Sequence, residues 1–216
     1  MIDWQVIEAS LPLLGKGLLT TLKLTLVAIV LSFPLGCLIA VGRLSHRAWL
    51  SRICASFVNL LRCNPLILIL FWFYFLMPMI IGRAIDDLTS IIVAFVIFFS
   101  AYFAEIVRSG IQSVGTRQIQ AGLSSGLTYA QTMRYIILPQ AIRSMLPALT
   151  TQCILVLQGT TVAYVVGYDE LLHTAAMIAE RTGRPVELYL FVGLIYFLIC
   201  YAGSLLSRHF EKGLHR

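Results

Sequence analysis

The chain has 216 residues, of which 59% are hydrophobic and only 12% charged, and its mean hydropathy is +0.87. A soluble domain carries about a quarter charged residues, so this composition excludes one and requires lipid as solvent. The net charge of +6 and pI near 9.2 do not make a nucleic-acid footprint, because the basic residues fall singly between apolar runs.

No hydrophilic block is long enough to fold by itself, so one membrane domain is expected. Residues 1–17 carry acids, with no basic n-region and no small-residue cleavage pattern, and read as an uncleaved periplasmic segment. Crossing a hydrocarbon core takes about 20 apolar helical residues, since lipid cannot satisfy free backbone amides. Five stretches meet that demand, at about 18–41, 53–81, 89–107, 147–166 and 188–207. The expected fold is therefore an all-α membrane protein with five transmembrane helices over 18–208, followed by a tail at 209–216. In the first span Ser32, Gly36 and Ala40 recur every four residues, a small-residue face for a close helix neighbour in this chain or another. Pro34, Pro65 and Pro78 interrupt the apolar runs, as kinks that line a pathway or simply pack. The five cysteines lie in or beside spans, where no extracellular loop is available to staple.

Arg43, Arg47, Arg52, Arg108, Arg117, Arg134, Arg143, Arg208, Lys212 and Arg216 fall on one side of these spans, against Lys16, Arg83, Arg181 and Arg184 on the other. The positive-inside rule places the N-terminus in the periplasm and the C-terminus in the cytoplasm. Asp3, Glu8, Asp86, Asp87, Asp169, Glu170, Glu180 and Glu187 then form an acidic outer rim, which is either solvated or docks a soluble protein. Glu105 and Glu211 are the inner acids.

Between the third and fourth spans lies a stretch too polar to cross and too patterned for a linker, 108–147. Leu127, Ala130, Met133 and Ile137 recur at helical spacing, and Pro139 opposes regular continuation. The expectation is a short cytoplasmic helix between helices 3 and 4, followed by a turn.

This loop resembles the "EAA" loop of type I ATP-binding-cassette importer permeases, with Gln120, Ala121, Gly122, then Gly126, then Ile137, Leu138 and Pro139. Gln120 replaces the family's usual glutamate and Gly122 its second alanine. Arg62 to Leu66 (RCNPL), Glu105 to Ile111 (EIVRSGI) and Ile136 to Ala141 (IILPQA) are similar to motifs of the polar amino-acid branch. The resemblance, spanning Thr20 to about Arg208, implies that Gln120, Ala121, Gly122, Gly126, Leu138 and Pro139 couple to an ATPase. Gln158, Gly159, Thr160 and Thr161 look like the family's pathway segment, with Gly159 where an aspartate is usual. The lost acid, together with Gln158 in place of lysine, favours acidic or neutral cargo such as glutamate or aspartate. Alternatively, the two threonines only back-bond to their own helix. Glu105 and Arg108, three apart, either pair structurally or belong to a gate, and Arg62 either snorkels to the interface or lines the path.

The implied partners are an ATP-binding-cassette ATPase dimer, a second permease subunit that is identical or paralogous, a periplasmic amino-acid-binding protein and membrane lipid, with no nucleic acid. The implied location is the inner membrane, crossed several times. No phosphate-cradling GxxxxGK[ST] is present, so the chain cannot hydrolyse ATP by that route and the energy must arrive from a partner; no enzyme activity, cofactor or metal site is expected of the chain itself. The competing class, an ion-coupled secondary carrier, calls for inverted repeats and unpaired intramembrane acids, and neither is legible.

Overall fold

The structure is a computed structural model that describes residues 4–214, with side chains to 208. The tail 209–216, with Glu211, Lys212 and Arg216, and Asp3 at the other end therefore lie outside the residues whose side chains are described. Every regular element among the described residues is helical.

Helix α1 runs Trp4–Arg43 without a break, so the 1–17 stretch expected to precede the first span is helical from Trp4 and continuous with it. At 1.5 Å per residue its 40 residues reach about 60 Å, roughly twice a hydrocarbon core. The small-residue face is used inside the chain. Ser32, Gly36 and Ala40 are buried, and a Cβ on Gly36 would stand 2.6 Å from Phe103 Cβ and 2.9 Å from the Ser100 carbonyl oxygen. Only a glycine lets α1 lie this close to α4 (Asp87–Ser113), and the two form the most extensive helix pair of the molecule.

The second expected span is not one helix. Residues 48–81 fold as α2 (Ala48–Arg62) and α3 (Leu66–Ile81), bent by 105° at Cys63–Pro65. Pro65 has no amide hydrogen to donate and disfavours helical backbone in Asn64, so the helix stops there. α2 stays near one end of the bundle. In its first turn Ser51 Oγ donates to the Arg43 carbonyl at 2.8 Å, Cys54 packs on Gly42, and its last residue, Arg62, lies over the Tyr102 ring of α4. The apolar run continues through the bend, which is why hydropathy alone read the two helices as one unbroken stretch.

α4 starts at an N-cap, Asp86, whose carboxylate accepts the Thr89 amide at 2.9 Å and hydroxyl at 2.7 Å. Those bonds hold the Asp86 carboxyl below the ordinary carboxylate range. A nine-residue helix follows, α5 (Thr116–Ser124), and then α6 (Tyr129–Val166), whose last turns from Thr160 are 3-10. The chain finishes with α7 (Leu171–Thr182) and α8 (Pro185–Leu214).

The turn expected after Pro139 is absent. α6 passes through it, because a π turn at Met133–Ile137 widens the helix just before the ring. The same device precedes Pro78, where Trp72–Leu76 is a π turn. In each case the wider turn relieves the clash between the proline ring and the carbonyl one turn back.

The main core joins α1, α2, α3, α4 and α6 around Phe95, Phe98, Phe99 and Phe103. A second cluster at the start of α1 holds Leu14 against Leu171, Ile178 and Leu188 of α7 and α8. α1, α4, α6 and α8 are each long and apolar enough to cross a membrane, and the bent pair α2–α3 makes a fifth crossing if it counts as one.

Candidate functional site

The sequence placed one set of residues on the loop between α4 and α6 and another deep in α6. α5 is held between two special turns. Gly115 at φ +78° opens it, and Gly126 at φ +83° closes it. At that end the Leu127 amide donates to the Gly122 carbonyl at 3.2 Å and the Gly126 amide to the Leu123 carbonyl at 3.0 Å, the double bond of a Schellman cap. Thr128 and Gln131 then form a capping box that starts α6, so the chain reverses within four residues.

Gly122 is the one buried residue of α5. A Cβ there would lie 2.6 Å from Thr132 Cγ2, 2.7 Å from Thr132 Oγ1 and 3.1 Å from Ile136 Cδ1. The alanine usual in the related motif would not fit without movement, so the glycine is what allows α5 to press on the first turns of α6. Gln120 and Ala121 face outward, as does Leu123. Leu138 and Pro139 do not join them. They sit at the π turn of α6, where Leu138 lines a cavity of about 820 Å³ with His46, Arg47, Gln112, Ile119 and Met133.

Gln158, Gly159, Thr160 and Thr161 diverge, since neighbouring helical residues point about 100° apart. Gln158 faces a groove of about 490 Å³ between α6 and α8, with Thr151, Phe197, Tyr201 and Arg208. Gly159 points the other way, and a Cβ on it would meet Phe99 Cζ at 2.7 Å and Leu66 Cδ2 at 3.3 Å. The missing aspartate thus corresponds to a packing contact that admits no side chain. Thr160 Oγ1 donates to the Leu157 carbonyl and Thr161 Oγ1 to the Gln158 carbonyl, both at 2.7 Å. Both hydroxyls back-bond to their own helix, which leaves Gln158 as the member of the set that offers a side-chain polar group to a groove.

Glu105, Arg108 and Arg62 come together, and they collect a fourth residue. The Glu105 carboxylate pairs with Arg43 and Arg108 and lies 3.6 Å from Arg62 Nη1. Sequence reasoning missed Arg43, although Glu105 is the only acid between Asp87 and Asp169 and so the nearest carboxylate in sequence for the arginines at that end.

Glu170 was also misread. Expected on an outer rim that is either solvated or docks a soluble protein, it is fully buried, because it caps α7 by accepting the His173 amide at 2.7 Å and the Leu172 amide at 2.9 Å. The Tyr196 hydroxyl of α8 donates to it at 3.2 Å, and Thr21 Oγ1 of α1 takes the neighbouring Leu171 amide at 3.1 Å. Burial raises the Glu170 carboxyl above its ordinary value, although these bonds oppose the shift. The sequence signal was an acid directly before an apolar helical run, the position of an N-cap. Glu187 is buried as well, 3.4 Å from Arg184, so the outer rim is thinner than its composition implied.

Among the described residues the chain is a bundle with four helices long and apolar enough to cross a membrane, and a short exposed helix is held between α4 and α6. A family model described as "Binding-protein-dependent transport system inner membrane component" matches residues 32–216, and the chain belongs to that family. It is a multi-pass inner-membrane component with no ATPase site of its own. The glutamate/aspartate import permease protein GltK of Escherichia coli O6:H1 is 41% identical over 217 residues, covering 97% of each chain. A probable glutamine ABC transporter permease, GlnP of Bacillus subtilis (strain 168), is 37% identical and covers 94% of each. A solved amino acid ABC transporter, crystallised with histidines, superposes with a TM-score of 0.92 at 35% identity, over 98% of this chain and 99% of that one.

Proposed function

We propose that this chain is one of two permease subunits of an importer for an acidic or amide amino acid, driven by a pair of ATP-binding-cassette ATPases that grip α5. The observation that carries this reading is the continuity of α6. It runs from the capping box at Thr128 past Pro139 to Gln158, about 44 Å at helical rise, so a push on the exposed helix reaches the groove as motion of one body. Gln120 and Ala121 face outward on that helix, Gly122 locks it against Thr132, and Leu138 and Pro139 form the π joint behind it.

In this reading the α5 end is cytoplasmic, which the arginine distribution supports, and residues 18–208 form the transport domain. Closure of the ATPases on ATP moves both α5 helices together. The subunits then rock, exposing a central path alternately to each side. A soluble amino-acid-binding protein delivers cargo at the opposite end. Cargo assignment rests on the 41% identity to the glutamate/aspartate permease, on the side-chain-free Gly159 and on the neutral amide at Gln158.

The test is purification through a tag on this subunit after co-expression with the ATPase and permease encoded beside it. Copurification of the ATPase with wild type and its loss with Gly126→Asp, which disrupts the φ +83° cap, supports the reading. Stable wild-type protein that never retains an ATPase refutes it. In proteoliposomes loaded with ATP, glutamate uptake should exceed arginine uptake at least tenfold, and the reverse preference refutes the cargo assignment.

A further inference from the structure

The cluster at Glu105 is out of charge balance. Three guanidinium groups, of Arg43, Arg62 and Arg108, converge on one carboxylate, and Glu105 has no second acid beside it in sequence from Asp87 to Asp169. The group carries a net charge of +2, with Arg108 also donating to the Gln112 amide oxygen and Arg62, exposed, lying over the Tyr102 ring, so it attracts an anion. Donors remain as well. Arg108 Nε is buried with no hydrogen-bond partner, and the Arg62 side chain is 41% exposed.

The surroundings say what kind of anion fits. α2 ends at Arg62 beside the cluster. Trp49, Ile53 and Leu60 lie on one exposed stripe of it, at helical spacings of four and seven. No acid occurs from Ala9 to Ile85, whereas Arg43, Arg47, Arg52 and Arg62 do. A tryptophan and an apolar stripe on a basic helix that turns by 105° into an apolar span is the geometry of a helix lying in a lipid headgroup layer.

We infer that Arg43, Arg62 and Arg108 bind the phosphate of an anionic phospholipid at the foot of α2, where the apolar stripe on the other face sets that helix in the headgroup layer. A phosphate oxyanion supplies the acceptors that Glu105 alone cannot, and the lipid stiffens the joint between α2 and α4. A free carboxylate or phosphate ion has the same headgroup chemistry but needs no headgroup layer beside it. The inference stands independently of the cargo assignment.

The test is native mass spectrometry of the detergent-purified transporter complex after exchange into mixed micelles of phosphatidylglycerol and phosphatidylcholine. Wild type should retain phosphatidylglycerol selectively, Arg62→Gln should retain about fivefold less, and Arg62→Lys should recover most of it. Equal retention of the two lipids by wild type, or undiminished retention by a folded Arg62→Gln variant, overturns the proposal. So does displacement of the lipid by millimolar inorganic phosphate or glutamate, which would assign the arginines to a free oxyanion. The wild-type comparison decides even if Arg62→Gln does not fold.

Discussion

Replacing Gly122 by alanine sets two effects of opposite sign against each other. In an exposed helix the change adds about 1 kcal/mol of stability through helix propensity. Here the new methyl would stand 2.6 and 2.7 Å from the two γ atoms of Thr132 and 3.1 Å from Ile136 Cδ1. Rotating Thr132 about χ1 offers little relief, because a β-branched side chain moves one γ atom away only by bringing another near. Overpacking of this kind costs about 1–3 kcal/mol. The sum is a net loss of about 1 kcal/mol, with α5 displaced from α6. The Thr132→Ala background removes both clashing atoms and a buried hydroxyl that has no partner, so there Gly122→Ala should become neutral or stabilising. The assay is a double-mutant cycle read by unfolding in mixed micelles, with ATPase copurification as the functional arm. A stabilisation of about 1 kcal/mol by Gly122→Ala in the wild-type background would refute the close-packing argument.

Three other outcomes are expected. Glu105→Gln leaves three guanidinium groups without their shared carboxylate and should lower stability by about 2 kcal/mol, whereas Arg62→Gln, at 3.6 Å and 41% exposure, should cost under about 1 kcal/mol, both measured in the same unfolding assay. Gly159→Ala should reduce thermal stability through its 2.7 Å approach to Phe99 and should be rescued by Phe99→Leu, with thermal aggregation in detergent as the readout. The Glu170 carboxyl is raised in the folded state, so its contribution is complete below the ordinary value of 4.5 and is lost as pH rises through the folded value. Wild type should therefore lose stability upward from about pH 4.5 relative to Glu170→Gln, and parallel pH profiles of the two would exclude the ionisation.

Composition and the run lengths of apolar residues determined that this chain is a helical membrane protein, because a continuous apolar run of about 20 residues satisfies its own backbone amides in lipid only as a helix. The loop motif together with RCNPL, EIVRSGI and IILPQA carried the resemblance to the family the chain belongs to, and the positions of Gly126 and Thr128 already encode the turn between α5 and α6 through the conformations those residues favour. Hydropathy had no means to see the 105° bend at Cys63–Pro65, since an apolar run reads the same whether straight or folded at a proline. Nor did it reveal that α6 passes Pro139, because the π turn that permits this is a backbone adjustment with no residue type of its own. Gly122 and Gly159 looked like departures from a pattern until Thr132 and Phe99 were found against them. The convergence of Arg43, Arg62 and Arg108 on Glu105 joins residues up to 65 positions apart. Only the packing of α1 and α2 on α4 decides it, because a single carboxylate pairs with whichever cations the fold brings within reach.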